Sequence, residues 1–172
     1  MKRIFLCLLS IFIIACQQNT STNILYSSEF DGIQYFGEDS FLLEGTDIPD
    51  SLKDNKYDRL PASYKDLVRE PVWNLSKNSA GLSIRFLSNS SVITAKWELL
   101  NNFSMDHMPD TGIKGVDLYF KNNNKWQYVN TGRPAGFNNE YRLIDNMDNE
   151  LREYKIFLPL YDGIKNIEIG ID

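Results

Sequence analysis

Apolar residues recur at every second position in several stretches of the chain. In Leu82-Ser83-Ile84-Arg85-Phe86 the three apolar side chains fall on one side of an extended backbone, and Ser83 and Arg85 on the other. Ile93, Ala95, Trp97 and Leu99 repeat this spacing after the polar Ser88-Asn89-Ser90. Two half-buried strands joined as an antiparallel hairpin are predicted there. Val116, Leu118 and Phe120 form another strand, and Lys121-Asn122-Asn123-Asn124-Lys125 separates it from Trp126-Gln127-Tyr128-Val129. This is a second hairpin, whose asparagines suit left-handed turn conformations. Further strands are predicted over residues 141–145, 151–160 and 166–171, the last with Ile167, Ile169 and Ile171 on one face. Shorter ones are predicted over 33–36, 40–43 and 71–75. Only residues 62–68 read as a helical turn or two, with Ser63 as a candidate cap. About eight to ten short strands at this spacing predict an all-β fold, a two-sheet antiparallel sandwich of jelly-roll type.

The first residues break the pattern. A charged start, Met1-Lys2-Arg3, leads into an apolar run from Ile4 to Ile14 and then Ala15 and Cys16. The run is too short to span a bilayer comfortably and has the layout of a secretion signal. Ile13-Ile14-Ala15-Cys16 resembles the bacterial lipobox, in which the cysteine is lipidated and becomes the new N-terminus. The expected organisation is a lipoprotein signal peptide over 1–15, a polar tether over 16–29 and one sandwich domain over 30–172. Cys7 leaves with the signal and Cys16 carries lipid, so no disulfide is expected and the core alone holds the domain. Gln17 stands where some bacteria place the aspartate that retains lipoproteins in the inner membrane. The expected location is therefore the outer membrane of the bacterial envelope, with membrane contact through the lipid anchor.

Composition narrows the function. The 172 residues carry 18 Lys+Arg against 23 Asp+Glu, a net charge of −5, with no basic cluster. Nucleic-acid binding, which needs a cationic face, is not expected. His107 is the only histidine, and Asp106 and Asp110 beside it have no diagnostic ligand spacing, so no metal site or cofactor is expected. His107 either lines a cleft or bonds locally to Asp106. Asp117, between Val116 and Leu118, points away from them. It either shares a polar groove with Tyr119 or fixes sheet geometry by accepting hydrogen bonds. Trp97 and Trp73 read as packed, and Trp126 as the candidate exposed ring for stacking on sugar, with cross-strand packing as the alternative. Arg133, in a turn-like Arg133-Pro134-Ala135-Gly136, is a candidate contact to a partner or to a carboxylate. The acidic run Asp145, Asp148, Glu150 and Glu153 reads as a solvated loop, since glycosidic chemistry needs carboxylates fixed across a cleft.

Six blocks occur in order: Tyr57-Asp58-Arg59-Leu60-Pro61, Val72-Trp73-Asn74-Leu75, Ser79-Ala80-Gly81-Leu82, Asn101 to Met108, Thr111 to Tyr119, and Leu158 to Gly163. This succession resembles the domain found N-terminal to SGNH-type (GDSL-like) esterases of bacteria. That domain is named for a Gly-x-Asp-Leu-Tyr signature, here Gly115-Val116-Asp117-Leu118-Tyr119. The resemblance implies a β-sandwich accessory domain preceding an α/β hydrolase that removes ester groups, such as acetyl groups of polysaccharides. It implies the hydrolase domain as a partner and polysaccharide as another. In proteins of this type the hydrolase follows the final strand and supplies a Gly-Asp-Ser block and an Asp-x-x-His pair, whereas the sequence here stops at Asp172. Gly37-Glu38-Asp39-Ser40 is superficially similar to the serine block but has no strand-to-helix turn to expose its hydroxyl, and His107 lacks the Asp-x-x-His context. The expectation is a non-catalytic portion of an esterase, truncated or separately encoded. The alternatives are a stand-alone carbohydrate-binding lipoprotein and a structural or protein-binding envelope lipoprotein.

If Cys16 carries the anchor, Cys16→Ala leaves the protein soluble after cell lysis without detergent. A variant still extracted only by detergent contradicts the lipid anchor.

Overall fold

The structure, a computed structural model, describes residues 24–25 and 32–172. The expected signal peptide, Cys16 and most of the tether lie outside the described residues. Among the described residues there are ten strands: β1 (Ile24–Leu25), β2 (Gln34–Phe36), β3 (Leu42–Glu44), β4 (Ser83–Ser88), β5 (Ile93–Leu99), β6 (Val116–Asn122), β7 (Lys125–Gly132), β8 (Asn138–Ile144), β9 (Arg152–Phe157) and β10 (Ile164–Ile171). Two short helices, α1 (Glu70–Ser76) and α2 (Asp110–Lys114), sit in the connections.

The strands form two facing sheets. One runs β1-β4-β9-β6-β7, with β3 also on β4, and the other runs β2-β10-β5-β8. The chain order is that of a hairpin rolled up on itself. The β6–β7 hairpin is innermost, and the pairs β5–β8, β4–β9 and β2–β10 enclose it in turn. Successive pairs alternate between the sheets, which is jelly-roll topology. The outer edge of β4 is covered end to end, by β3 along Ser83–Arg85 and by β1 along Leu87–Ser88. Covering it removes a row of unpaired backbone groups that would invite association.

Alternation explains the core. Ile84, Ile156 and Leu118 stand in register across β4, β9 and β6, and Phe86 stacks on Tyr154 at 5.6 Å one row along. From the opposite sheet, Ile93, Ala95, Trp97 and Leu99 of β5 meet Ile167, Ile169 and Ile171 of β10. All of these are buried. The predicted asparagine turn is present: Asn123 and Asn124 both have positive φ (48° and 62°), which matches the twist of a two-residue hairpin.

Three expectations are corrected. β4 and β5 do not pair, because they lie in opposite sheets. Their apolar faces look at each other across the core, a relation that alternation cannot distinguish from a hairpin. Residues 71–75 belong to helix α1, with Pro71 in its first turn, where a missing N–H leaves no bond unmade. Its buried residues, Trp73 and Ser76, are three apart, which is helical spacing. At 62–64 the turn is 3-10 and has no side-chain cap from Ser63. Helix α2 was not signalled, since Thr111 and Gly112 are weak helix formers.

Ile156 is fully buried between Ile84 and Leu118. Ile156→Ala is expected to lower the unfolding free energy by about 2–5 kcal/mol, whereas Leu67→Ala, on an exposed turn, stays within about 0.5 kcal/mol. Urea denaturation of both variants checks the contrast.

Candidate functional site

The signature strand divides its residues between two tasks. Val116 and Leu118 point into the core, and Asp117 and Tyr119 stand on the outer face of β6. Gly115 joins α2 to β6 at a tight crossing. A Cβ there would lie 2.4 Å from the Thr111 carbonyl oxygen and 2.9 Å from that of Gly132, so only glycine fits. Asp117 accepts a hydrogen bond of 2.5 Å from the Thr131 hydroxyl. Because that proton is committed, the Tyr128 hydroxyl, 2.9 Å from Thr131 Oγ1, is the donor in the second bond of the chain. The Tyr119 ring meets Tyr128 and Phe157 edge-on, at 5.6 and 5.3 Å. Between this row and α2 runs a groove of about 250 Å³, with Gly112, Gly115, Asp117, Tyr119, Phe157 and Leu160 among its walls.

Trp126 continues the same strip toward the hairpin tip. Two ammonium groups lie over its ring, Lys155 Nζ at 4.7 Å and Lys121 Nζ at 5.6 Å from the centroid. Both lysines belong to an ion-pair ladder with Glu44, Arg85 and Glu153 at 2.8–3.0 Å. The ring is thus half-buried and engaged by cations, so a sugar stacking there would have to displace them. Burial pushes the Glu153 carboxyl up, but hydrogen bonds and charge from Lys121 and Arg85 outweigh it and hold the group below the usual carboxylate range.

His107 lies elsewhere, at the tip of the loop between β5 and α2. Its side chain is 72% exposed, and Nδ1 lies 3.1 Å from Asp106 Oδ1. The base of this loop is held tightly. The buried Asp162 carboxylate accepts bonds from Asn101 N, Asn101 Nδ2, Asn102 N and Gly163 N at 2.7–3.1 Å. Lys114, also buried, reaches Asn102 Oδ1 at 2.8 Å, Ser104 Oγ at 3.3 Å and Asp110 Oδ2 at 3.2 Å. A bridge between Met105 and Met108 closes the tip. Arg133 is exposed in the turn after β7, where the Asn139 side chain binds Ala135 N and Gly136 N.

The structure therefore brings Asp117, Tyr119 and Trp126 onto one strip, and leaves His107 and Arg133 in separate connections. It adds residues to which the sequence assigned no role: Asp162 and Lys114 under the loop, and Phe157 and Leu160 in the groove. Asp162 follows a short apolar run in a position that reads as an ordinary turn, and a buried lysine leaves no trace in a pattern of polar and apolar residues. Among the described residues no cluster of three His, Cys, Asp or Glu is placed to hold a metal ion. No described helix is long and apolar enough to cross a membrane.

The signature and the sandwich coincide with a known family. A profile of the GxDLY family, the N-terminus of SGNH-hydrolase-type esterases, matches residues 33–172. The chain belongs to this family. Its GxDLY domain is also similar to a solved structure from Bacteroides ovatus ATCC 8483 assigned as a GDSL-like lipase, at 36% identity and a TM-score of 0.76. That match covers 82% of this chain and 41% of the lipase. A second solved structure, the salicylyl-acyltransferase SsfX3 from a tetracycline biosynthetic pathway, shares the fold at 12% identity and a TM-score of 0.52. There the match covers 81% of this chain and 39% of the acyltransferase, so the GxDLY chain spans well under half the length of both. No curated protein matches it.

Glu153 adds stability that is complete above the ordinary carboxylate pKa of about 4 and is lost as pH falls toward its lower folded value. Glu153→Gln is expected to cost about 1 kcal/mol at neutral pH and to flatten the acid limb of the stability profile. Urea titrations between pH 3 and pH 7 read both effects; a variant that keeps the parent's pH slope contradicts the assignment.

Proposed function

We propose that this chain is the non-catalytic accessory domain of an SGNH-type carbohydrate esterase, lipid-anchored in the bacterial envelope, which packs on the hydrolase domain and helps position the acylated polysaccharide. The observation that carries this reading is the match of residues 33–172 to the N-terminus of such esterases. The geometry supports it. Serine-based ester cleavage needs a nucleophile within hydrogen-bond reach of a base that a third group orients. The single imidazole, His107, stands out in solvent beside Asp106, and Ser40 closes a 3-10 turn by donating its backbone N–H to Gly37 O. Neither is arranged for that chemistry.

A second reading, a carbohydrate-binding lipoprotein without a hydrolase, draws on the outer face of the four-stranded sheet. There Glu168, Lys96 and Glu140 form one cross-strand row and Asn166, Glu98 and Asn138 the next, along a polar groove of about 320 Å³. Carboxylates and carboxamides on such a grid suit sugar hydroxyls.

Purified chain is expected to hydrolyse p-nitrophenyl acetate no faster than a buffer blank. A fusion to the remaining part of the Bacteroides ovatus protein is expected to turn the ester over. Turnover by the chain alone that disappears on Ser40→Ala or His107→Ala overturns the reading. Glycan binding with no gain in turnover on fusion favours the second reading.

A further inference from the structure

We infer that the hydrolase domain, reached from Asp172 at the far end of β10 by a connection that runs back along the sandwich, seats on the end formed by the 101–109 loop and the groove beside α2, with the Asp106–His107 tip reaching into that domain. The inference rests on the accessory reading and adds the place of contact.

The loop is held at its base by buried charge. Taking a carboxylate or an ammonium out of water costs several kcal/mol per ion before pairing offsets it. Here both Asp162 and Lys114 are buried at the loop's base, and between them they fix Asn101, Asn102 and Ser104. The Met105–Met108 bridge then sets the shape of the tip. Yet Asp106 and His107 at that tip cover none of the core; their side chains are 100% and 72% exposed. A loop anchored by buried charge whose tip does nothing for its own fold has its shape fixed for a partner.

The segments beside the loop expose apolar side chains. A Cβ on Gly112 would lie 3.4 Å from Met108 Cγ, so the loop packs directly on the helix turn that walls the groove. Tyr161 N donates to Ile113 O at 3.0 Å, which lays the 158–161 segment along the same turn. Phe103, Phe157, Leu160 and Tyr161, large apolar side chains from these segments, are all exposed. Grouped exposure of this kind marks an interaction surface.

Elsewhere the outer faces of the sheets carry charge. On the β4 side, the six-stranded sheet's outer face is occupied by the ion pairs of Glu44, Arg85, Lys121, Glu153 and Lys155. The four-stranded sheet presents Lys96, Glu98, Glu140 and Glu168. Charge is depleted at the centres of protein interfaces, so these faces suit solvent or sugar better than a domain. The occupant is a hydrolase domain because the family is the N-terminus of one, and because the match covers only 41% of the Bacteroides ovatus protein.

The test is photo-cross-linking in a fusion of the full chain to the remaining part of the Bacteroides ovatus protein. Benzoylphenylalanine replaces His107, Leu160 or, on the four-stranded face, Asn166. Adducts from 107 and 160 to hydrolase peptides, with none from 166, are expected. Adducts from 166 alone overturn the seat while leaving the accessory reading intact. Adducts joining two copies of this chain through 107 or 160 assign the surface to self-association and overturn the inference. A folded fusion with no adduct at any position removes both the seat and the accessory reading. Where the fusion fails to fold, the full chain mixed with the separate hydrolase part is read at the same three positions, with the same outcomes.

Discussion

The buried carboxylate of Asp162 holds together the corner on which the rest of this molecule's outward geometry depends. Four N–H groups from residues 101, 102 and 163 converge on its two oxygens, and its own carbonyl accepts Ser79 N at 3.0 Å. Ser79 Oγ in turn accepts Ile164 N. One residue therefore ties the segment after α1, the exit of β5 and the entry to β10. Hydrogen bonds to an ionised group are stronger than neutral ones, and in a buried site they take over the role of the lost water. Without this corner, the strands would still alternate, but the 101–109 loop would lose its anchor at Asn101 and keep only the hold of Lys114 on Asn102 and Ser104.

The rolled hairpin explains why the distinctive residues collect where they do. Nesting pairs of strands consumes the inward positions on a hydrophobic core and leaves each sheet one solvated face. On the six-stranded sheet that face is graded. Ion pairs around Glu153 occupy the side near β4, an aromatic row of Tyr119, Tyr128 and Phe157 follows, and the groove by Gly115 ends it. The GxDLY signature lies across this gradient. Its Gly115 permits the tight passage from α2, its Leu118 belongs to the core, and its Asp117 and Tyr119 build the groove wall. A five-residue motif thereby records both a folding constraint and a surface.

Much of the sandwich was legible because a period of two is written directly into β4, β5, β6 and β10, and because Asn123-Asn124 encodes its own turn. Pairing was not legible. Alternation states which side of a strand is buried and says nothing about which neighbour it bonds, so β4 and β5 read as a hairpin although each pairs with distant segments, β4 with β9 and β5 with β10 and β8. Helix α1 was hidden because a single buried tryptophan in seven residues gives too little period to separate helix from strand. At the candidate site, Asp117 and Tyr119 were found from their places in the alternation. Trp126 was found as an aromatic beside a turn, but the two lysines over its ring come from β6 and β9 and depend on register. Asp162 and Lys114 were missed for a related reason: burial of a charge is a tertiary event, set by donors and acceptors that arrive from elsewhere in the chain.

On the proposed reading, this domain is a scaffold whose loop-bearing end meets a hydrolase. A crystal structure of the chain joined to an SGNH hydrolase domain tests it most directly. The account predicts that the hydrolase covers the Met105–Met108 tip, Leu160 and Tyr161, and leaves the outer face of β5, β8 and β10 open. A hydrolase seated on that outer face, with His107 still in solvent, would contradict it.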